Sequence, residues 1–287
     1  MSRGDEKIRG TLLMVLAVLV LSPDALLISL VSTDPWTLVF WRGFLTACTL
    51  MVALFLSHGR ETLVEVSRMG RTGILAGFFF GVSTISFVWS VRLTAAANTL
   101  VIIAAMPLFA AILTGIFLSE RVPGRTWIAV TVGFAGIVAI FSGSLNKGSI
   151  FGDLLALLTA ILMAANFVII RSRKEISMIP AVVLSGLMTT LFTLFINKPL
   201  TVDRVDIIML AVMGSVVLPI PLTLMTVAPK LIPAAEVSLI MLLETFLGPL
   251  WVWLALAERP ARETFLGGGL LVTTLIVHAL TGKHSES

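Results

Sequence analysis

The sequence predicts an all-α membrane protein of ten transmembrane helices, arranged as two inverted five-helix repeats. The composition, the spacing of the apolar runs and an internal repeat each point to this fold class. Of the 287 residues, 57% are hydrophobic and only 13% are charged, whereas soluble domains are about 45–50% apolar and about 25% charged. A water-soluble fold is therefore excluded, and the lipid bilayer is the expected environment.

Apolar runs long enough to cross a hydrocarbon core of about 30 Å follow one another along the chain. They are predicted near residues 10–31, 35–56, 71–92, 96–118, 125–142, 151–171, 178–197, 205–228, 232–256 and 263–281. The first run continues past the length of a signal-peptide core, so we interpret it as the first span. The longest link, residues 57–71, is too short for a separate soluble domain.

The basic residues predict the orientation of the spans. With a cytoplasmic N-terminus, the basic residues of the links fall mostly inside, and only Arg92, Lys147, Lys198, Arg204, Arg259 and Arg262 lie outside. This bias follows the positive-inside rule and predicts cytoplasmic N- and C-termini in a bacterial inner membrane. Because orientation explains these clusters, the net charge of +4 does not indicate a nucleic-acid partner.

An internal repeat divides the chain into halves at residues 1–147 and 148–287. Residues 93–121 align without gaps with 231–259, sharing an Ala-Ala pair near the start and a Glu-Arg pair at the end. Residues 10–30 align with 152–172, which places Asp24 opposite Asn166. An odd number of spans per half makes the second half start on the opposite side of the membrane. Inverted repeats of this kind recur in secondary transporters and favour alternating access.

The chain resembles the EamA-type branch of the drug/metabolite transporter superfamily over essentially its whole length. The resemblance rests on the residues Gly10, Arg42, Pro107, Glu120, Glu244 and Glu258 and on the Ala-rich entry to span four. It implies a carrier of ten helices, with the YddG-like amino-acid exporters as the subgroup under consideration. Family members carry Glu-Pro in span nine, whereas Thr245 follows Glu244 here, so Pro249 is the expected position of the helix break.

Two ionisable residues, Asp24 in span one and Arg42 in span two, lie at similar depth. Charges inside a bilayer are costly and usually face a partner or a cavity. An ion pair between the two is one interpretation, and contact with a zwitterionic substrate or proton uptake by Asp24 is the other. Pro23 removes a backbone hydrogen bond, so an opened helix beside Asp24 is expected.

Glu244 lies close to the predicted midplane of span nine. It is interpreted either as a substrate or proton site or as a structural, hydrogen-bonded glutamic acid. Asn166 in span six and Asn98 at the start of span four are further candidates for substrate contact. Helix capping explains Asn98 equally well.

Span three offers Ser83, Ser86 and Trp89 as candidate substrate contacts. Membrane serines usually bond backbone or neighbouring helices, and tryptophans near span ends usually anchor the interface. Glu120 and Glu258 close their helices where the macrodipole disfavours an anion. They are predicted either to gate the two faces or to have a structural role, in which they pair with Arg125 and Arg262 or cap the next helix.

An enzyme is not expected, because the chain contains no HExxH, no nucleophile elbow and no Walker loop. No cofactor and no metal are predicted, and transport must follow substrate or ion gradients. Few charges line the predicted cavity, which favours a neutral or zwitterionic solute, and the resemblance implies export of amino acids, including aromatic ones. A multidrug or other metabolite carrier and a channel are the alternatives. Proton coupling is left open, and a monomer or weak homodimer is expected.

Overall fold

The computed structural model describes residues 3–59, 61–117, 124–145, 149–173, 177–196, 202–228, 231–232, 234–257 and 261–282. These residues form helices and turns, with no β-strand in the described ranges. The first half contains α1 (Arg3–Leu21), α2 (Asp24–Leu30), α3 (Pro35–His58), α4 (Glu61–Leu93), α5 (Ala96–Ile103), α6 (Met106–Phe117) and α7 (Gly124–Leu145). The second half contains α8 (Ile150–Arg171), α9 (Ile179–Ile196), α10 (Arg204–Val212), a π-helical segment (Met213–Val217), α11 (Pro219–Val227), α12 (Ala234–Leu256) and α13 (Arg262–Gly282).

Eight helical segments of the described chain are long and apolar enough to cross a membrane. They correspond to the first eight predicted spans, while α12 and α13, of 23 and 21 residues, occupy the positions of the last two. Only 39–44% of each qualifying segment is buried inside the protein. The remaining surface carries large apolar side chains, such as Phe195 and Leu56, that suit contact with lipid tails.

Three spans are interrupted, and a proline lies at or just beyond each interruption. Span one breaks between α1 and α2 at Pro23, as predicted. Span four breaks at Ala104 and Ala105, which the sequence analysis did not anticipate. Span eight changes to π-helical hydrogen bonding before Pro219, where the Leu218 N–H donates five residues back to the Met213 carbonyl at 3.1 Å. Proline causes such interruptions because it lacks an N–H and its ring clashes with the carbonyl four residues earlier.

One expectation about helix continuity is wrong. The predicted break at Pro249 does not occur, because α12 runs through that residue as one helix. The polar link predicted over residues 57–71 contains helical residues, since α4 begins at Glu61, and Gly70 interrupts the helical geometry. Gly70 has a φ of 51°, a left-handed conformation that glycine adopts without steric cost.

The packing is consistent with a two-fold relation between the halves. Helix α8 packs against α4 and α6, just as α1 packs against α11 and α12. Helix α3 packs on α9, and α7 packs on α13. Each of these two pairs meets at reciprocal glycines. A Cβ on Gly43 would lie 2.9 Å from the Gly186 carbonyl oxygen, and one on Gly186 would lie 2.6 Å from that of Gly43. Gly136 and Gly267 approach each other in the same reciprocal way.

The starts of the two halves make equivalent contacts at opposite ends of the bundle. A Cβ on Gly10 would lie 2.7 Å from Leu231 Cβ, and one on Gly152 would lie 2.7 Å from the backbone nitrogen of Thr94. In the aligned repeats, Gly10 corresponds to Gly152 and residues 231–232 correspond to residues 93–94. The two contacts are therefore the same contact in the two halves. We refer to the end containing Gly10 as the N-terminal face and to the end containing Gly152 as the opposite face.

Candidate functional site

The break in span one positions Asp24 inside the bundle. The Ser22 hydroxyl donates to the Leu19 carbonyl at 2.9 Å, which closes the end of α1, and Pro23 precedes the new helix. Asp24 begins α2 and is only 4% exposed. A buried carboxylate at an opened helix is a common element of binding sites in transporters.

Arg42 of α3 neutralises this carboxylate. Its Nη1 and Nη2 donate to the two Asp24 carboxylate oxygens at 2.7 Å each, so the predicted ion pair is confirmed. The guanidinium carbon lies 5.5 Å from the centre of the Phe87 ring, within the range of a cation–π contact. Arg42 Nε has no hydrogen-bond partner, and one turn further along α3 the buried Thr46 hydroxyl also has none. Two polar atoms on one face of α3 thus remain for a ligand.

Helix α12 brings a second carboxylate and an indole to the same place. Glu244 is half-buried and lies near enough to Asp24 for the two carboxylates to interact electrostatically. Two turns further on, Trp251 Nε1 donates to the Ser22 hydroxyl at 2.9 Å. Gly248 packs directly against the Leu100 side chain of α5. We call Asp24, Arg42 and Glu244, with their immediate contacts, the central site.

The serines of span three bond their own helix, as the structural interpretation predicted. Ser83 donates to the Phe80 carbonyl at 2.8 Å, and Ser86 donates to the Val82 carbonyl at 2.6 Å. Both side chains are buried, so their oxygens can still accept a hydrogen bond.

Trp89 lies further along α4. Its ring meets Trp36 edge-on at 5.3 Å, and its buried Nε1 has no hydrogen-bond partner. Trp36 also packs edge-on against Phe192 at 6.2 Å. The indole N–H of Trp89 therefore remains available to an acceptor.

Neither asparagine is hydrogen-bonded to Asp24 or Arg42 in the described part of the chain. Asn98 belongs to a cluster at the opposite face, where its amide donates weakly to Asp153 Oδ1 at 3.5 Å and its carbonyl accepts from the Thr264 hydroxyl. It does not cap α5, whose N-cap is Ala95 with no side-chain hydrogen bond, so the capping interpretation is wrong. Asn166 is buried in α8, and no hydrogen bond of the described residues links it to Asp24 or Arg42. The candidate gates Glu120 and Glu258 lie outside the described residues.

Polar contacts that the sequence did not indicate lie at the opposite face. The Asp206 carboxylate accepts from the backbone N–H of Ser32 at 3.1 Å, the Ser32 hydroxyl at 2.7 Å and the Thr33 N–H at 3.0 Å. Arg92 Nη2 donates to the carbonyls of Val31 and Thr33. The link between α2 and α3 is thereby fixed to α4 and α10. A weak signal existed in the sequence, since Asp206 is an acid just inside an apolar run.

The described residues contain no group of three or more His, Cys, Asp or Glu side chains arranged to hold a metal ion. A surface groove is lined by the α1 residues Asp5, Ile8, Arg9, Leu12, Leu13 and Leu16. It lies along the exposed side of α1, whereas Met14 and Val18 of that helix are fully buried. The buried charged side chains of the described residues lie at the central site and at the opposite face.

Comparisons with known proteins agree with this architecture. The model of the EamA-like transporter family matches the chain twice, over residues 8–142 and 150–280. A solved structure titled "Crystal structure of protein" shares the fold with a TM-score of 0.69 and 16% sequence identity, and the match covers 98% of this chain and 99% of that chain. No match was found among curated proteins.

Proposed function

Because the chain belongs to the EamA-like transporter family, we propose that it is a secondary carrier that exports small neutral or zwitterionic metabolites. The best candidates are amino acids, including aromatic ones, and the proposed location is a bacterial inner membrane. The family consists of transporters, which agrees with the expectation that the protein is not an enzyme. The observation that carries the substrate proposal is the buried Asp24–Arg42 pair beside Glu244.

The central site has hydrogen-bonding partners for both the ammonium group and the carboxylate group of a zwitterion. Glu244 is half-buried and belongs to neither of the two ion pairs described, so its carboxylate can accept hydrogen bonds from a substrate ammonium group. Arg42 Nε, which has no hydrogen-bond partner among the described residues, is a donor for a substrate carboxylate. The unpartnered Trp41 Nε1 is a further donor on the adjacent position of α3. An amino acid satisfies donors and acceptors of this kind simultaneously.

Aromatic side chains close to Arg42 favour an apolar or aromatic substituent on the substrate. Phe87 lies under the guanidinium. Trp41 packs edge-on against Phe40 at 5.3 Å and against Phe44 at 6.0 Å. Aromatic groups prefer such offset or edge-on neighbours, and these contacts stabilise beyond the area they bury.

The same geometry disfavours phosphate esters as substrates. A phosphate group requires several cationic donors. Arg42 is the basic residue of the central site, and both of its terminal nitrogens are already bonded to Asp24. We therefore place nucleotide sugars and triose phosphates outside the substrate class.

Alternating access is the proposed mechanism. In this mechanism the related contacts of the two halves allow two arrangements of the helices with similar energy, one open at each face. The interruptions in spans one, four and eight are the places where half-helices can reorient. In this mechanism the contacts of Asp206 and Arg92 hold the opposite face closed. On the N-terminal face, α1 packs with α11 and α12, whereas α6 packs with α7 and α8. Separation of these two groups would open that face.

The test is counterflow of labelled phenylalanine and leucine into proteoliposomes that contain the purified protein. The proposal expects saturable uptake that is stimulated by unlabelled amino acid on the other side. Glu244→Gln should weaken apparent affinity by about tenfold or more, since a charge-assisted hydrogen bond contributes about 1.5–3 kcal/mol. Asp203→Asn is the matched control, because Asp203 is an exposed acid of the opposite face.

Other outcomes would refute the proposal. Exchange of apolar cationic drugs without exchange of any amino acid would identify a multidrug carrier instead. The unpaired Glu244 carboxylate is the feature that favours this second candidate. Flux that rises linearly with concentration and shows no stimulation from the other side would identify a channel.

A further inference from the structure

A buried carboxylate outside the central site, Asp153, has no role in the function proposed above. It lies in the first turn of α8 and is 0% exposed. Its Oδ1 accepts from the Thr94 hydroxyl at 2.7 Å and weakly from the Asn98 amide at 3.5 Å. Its Oδ2 is buried and has no hydrogen-bond partner. A carboxylate anion buried with so few donors is costly, whereas a carboxylic acid carries no charge to compensate.

No cation of the described residues compensates Asp153. Helix α8 packs against α4, α5, α6 and α7, and the charged residue of these helices at the opposite face is Arg92. Arg92 is bonded to the Val31 and Thr33 carbonyls and interacts electrostatically with Asp206 and Asp34.

Helix α13, linked to this cluster through Asn98, begins with Arg262 and Glu263. Glu263 packs against Gly143, and Arg262 forms no ion pair with Asp153 in the part of the chain described. Lys147, in the link that precedes α8, lies outside the described residues and is therefore tested directly below.

Asp153 holds together the elements that close the opposite face. Thr94 belongs to the link between α4 and α5, Asn98 belongs to α5, and the Thr264 hydroxyl of α13 donates to the Asn98 carbonyl. Gly152 allows this close approach, because a Cβ there would lie 2.8 Å from the Leu93 carbonyl carbon. Separation of α8 from the link at Thr94 would expose the Asp153 carboxylate to water. Hydration of the Asp153 carboxylate would therefore accompany opening of the opposite face.

In the sequence, the aligned repeat of the other half also carries an acid, at the position equivalent to Asn98. Thr11 aligns with Asp153, and Glu236 aligns with Asn98. Each face therefore carries one acid at this interface in the sequence, on span six at the opposite face and on span nine at the N-terminal face. The acid at the opposite face is the one whose surroundings the structure describes.

We propose that Asp153 is a proton-binding site that controls closure of the opposite face. A proton taken from water at that face binds Asp153 Oδ2 and gives a neutral carboxylic acid, which is compatible with the closed, dry cluster. Release of the proton to water leaves an anion that requires hydration, and the face opens. A sodium ion, which needs several oxygen ligands, is the alternative cation, and the test below distinguishes it from a proton. The proposal rests on the carrier function proposed above, since it assigns regulation to the same conformational cycle.

The test measures opening directly and does not require a substrate. In a Cys48→Ala background, Ser90→Cys places a thiol at a position that is 0% exposed and whose native hydroxyl contacts Thr99 at 2.7 Å. Alkylation of this thiol by a water-soluble reagent reports separation of the cluster. The alkylation rate, corrected for thiolate content with a free thiol standard, should rise with pH. Below the midpoint the rise should approach about tenfold per pH unit, as expected for one titrating carboxyl group.

Asp153→Asn mimics the protonated acid. It should be alkylated slowly at every pH, at the rate the parent protein shows at low pH, and Asp203→Asn should follow the parent. Elution as a single peak on gel filtration and a parental rate at low pH establish that the variant is folded. Rapid alkylation of Asp153→Asn at low pH would overturn the proposal. A pH-dependent alkylation rate retained in Asp153→Asn would also overturn it. Loss of the pH dependence in Lys147→Gln would overturn it too, because that result would indicate an ion pair between Lys147 and Asp153.

The source of the cation and the carrier function are tested separately. A corrected rate that depends on sodium at constant pH, and not on pH at constant sodium, would replace the proton by sodium and overturn the proposal. If the parent shows the predicted pH response but no amino-acid counterflow, the substrate proposal fails and the proton site stands. If counterflow occurs and alkylation is independent of pH, the proton site fails alone.

Discussion

Neutralising Asp24 of the Asp24–Arg42 pair should destabilise the protein more than neutralising Arg42. Both residues are buried and joined by two hydrogen bonds of 2.7 Å, and breaking such a pair costs about 3–5 kcal/mol. A guanidinium cannot lose its proton in a protein. Asp24→Asn therefore leaves a fixed buried charge, whose remaining contact among the described residues is the Phe87 ring 5.5 Å away. In Arg42→Gln the remaining carboxyl can take up a proton, so the cost should be smaller and should grow with pH.

The double variant supplies the decisive comparison. Asp24→Asn with Arg42→Gln removes both charges and should recover most of the stability lost in Asp24→Asn. The assay is thermal unfolding in detergent followed by tryptophan fluorescence. At about 2–4 °C per kcal/mol, Asp24→Asn should lower Tm by roughly 10 °C, and the double variant by clearly less. A double variant that unfolds at the sum of the two single losses would refute the argument that the pair is coupled.

Two further predictions concern the opposite face. Gly152→Ala should destabilise the protein by about 1–3 kcal/mol, because the added Cβ would clash with backbone atoms that cannot move away. Gly269→Ala, in open space within α13, is the control and should be neutral or slightly stabilising in the same unfolding assay. Equal losses of stability in the two variants would contradict the packing described for Gly152. Asp206→Asn should weaken the hydrogen bonds from Ser32 and Thr33 and speed hydrogen exchange at those two amides, and unchanged exchange would show that Asp206 does not hold this link.

The sequence predicted the spans well because hydropathy follows directly from the bilayer, but it predicted the interruptions only in part. Pro23 was interpreted correctly. The break at Ala104 was missed, because its cause lies downstream: the Pro107 ring clashes with the carbonyl of residue 103. Pro249 was given the wrong role, since α12 continues through it. Proline is tolerated in a membrane helix when the freed carbonyl is satisfied by its surroundings, and tertiary packing decides this.

The central site was more predictable than the acids at the opposite face. Asp24 and Arg42 lie at similar depth in adjacent spans, so their pairing could be inferred from spacing alone. Asp153 and Asp206 each lie in the first turn of a helix. The helix dipole favours an acid at that position. Because this local effect accounts for both acids, the sequence did not indicate their contacts with distant residues. The sequence feature that could have indicated the close packing at Asp153 is the glycine before it, because this glycine aligns with Gly10 at the start of the other half.

The proposed opposite orientation of the two related halves underlies the carrier mechanism, and cysteine labelling of their equivalent ends tests it most directly. In a Cys48→Ala background, Ser57→Cys reports the exposed end of α3, the second span of the first half. Asp203→Cys reports the exposed link after α9, the second span of the second half. In intact cells, a membrane-impermeant maleimide should label residue 203 and leave residue 57 unlabelled until the membrane is permeabilised. Labelling of both positions from the same side would show that the halves run parallel, and the carrier mechanism proposed here would be wrong.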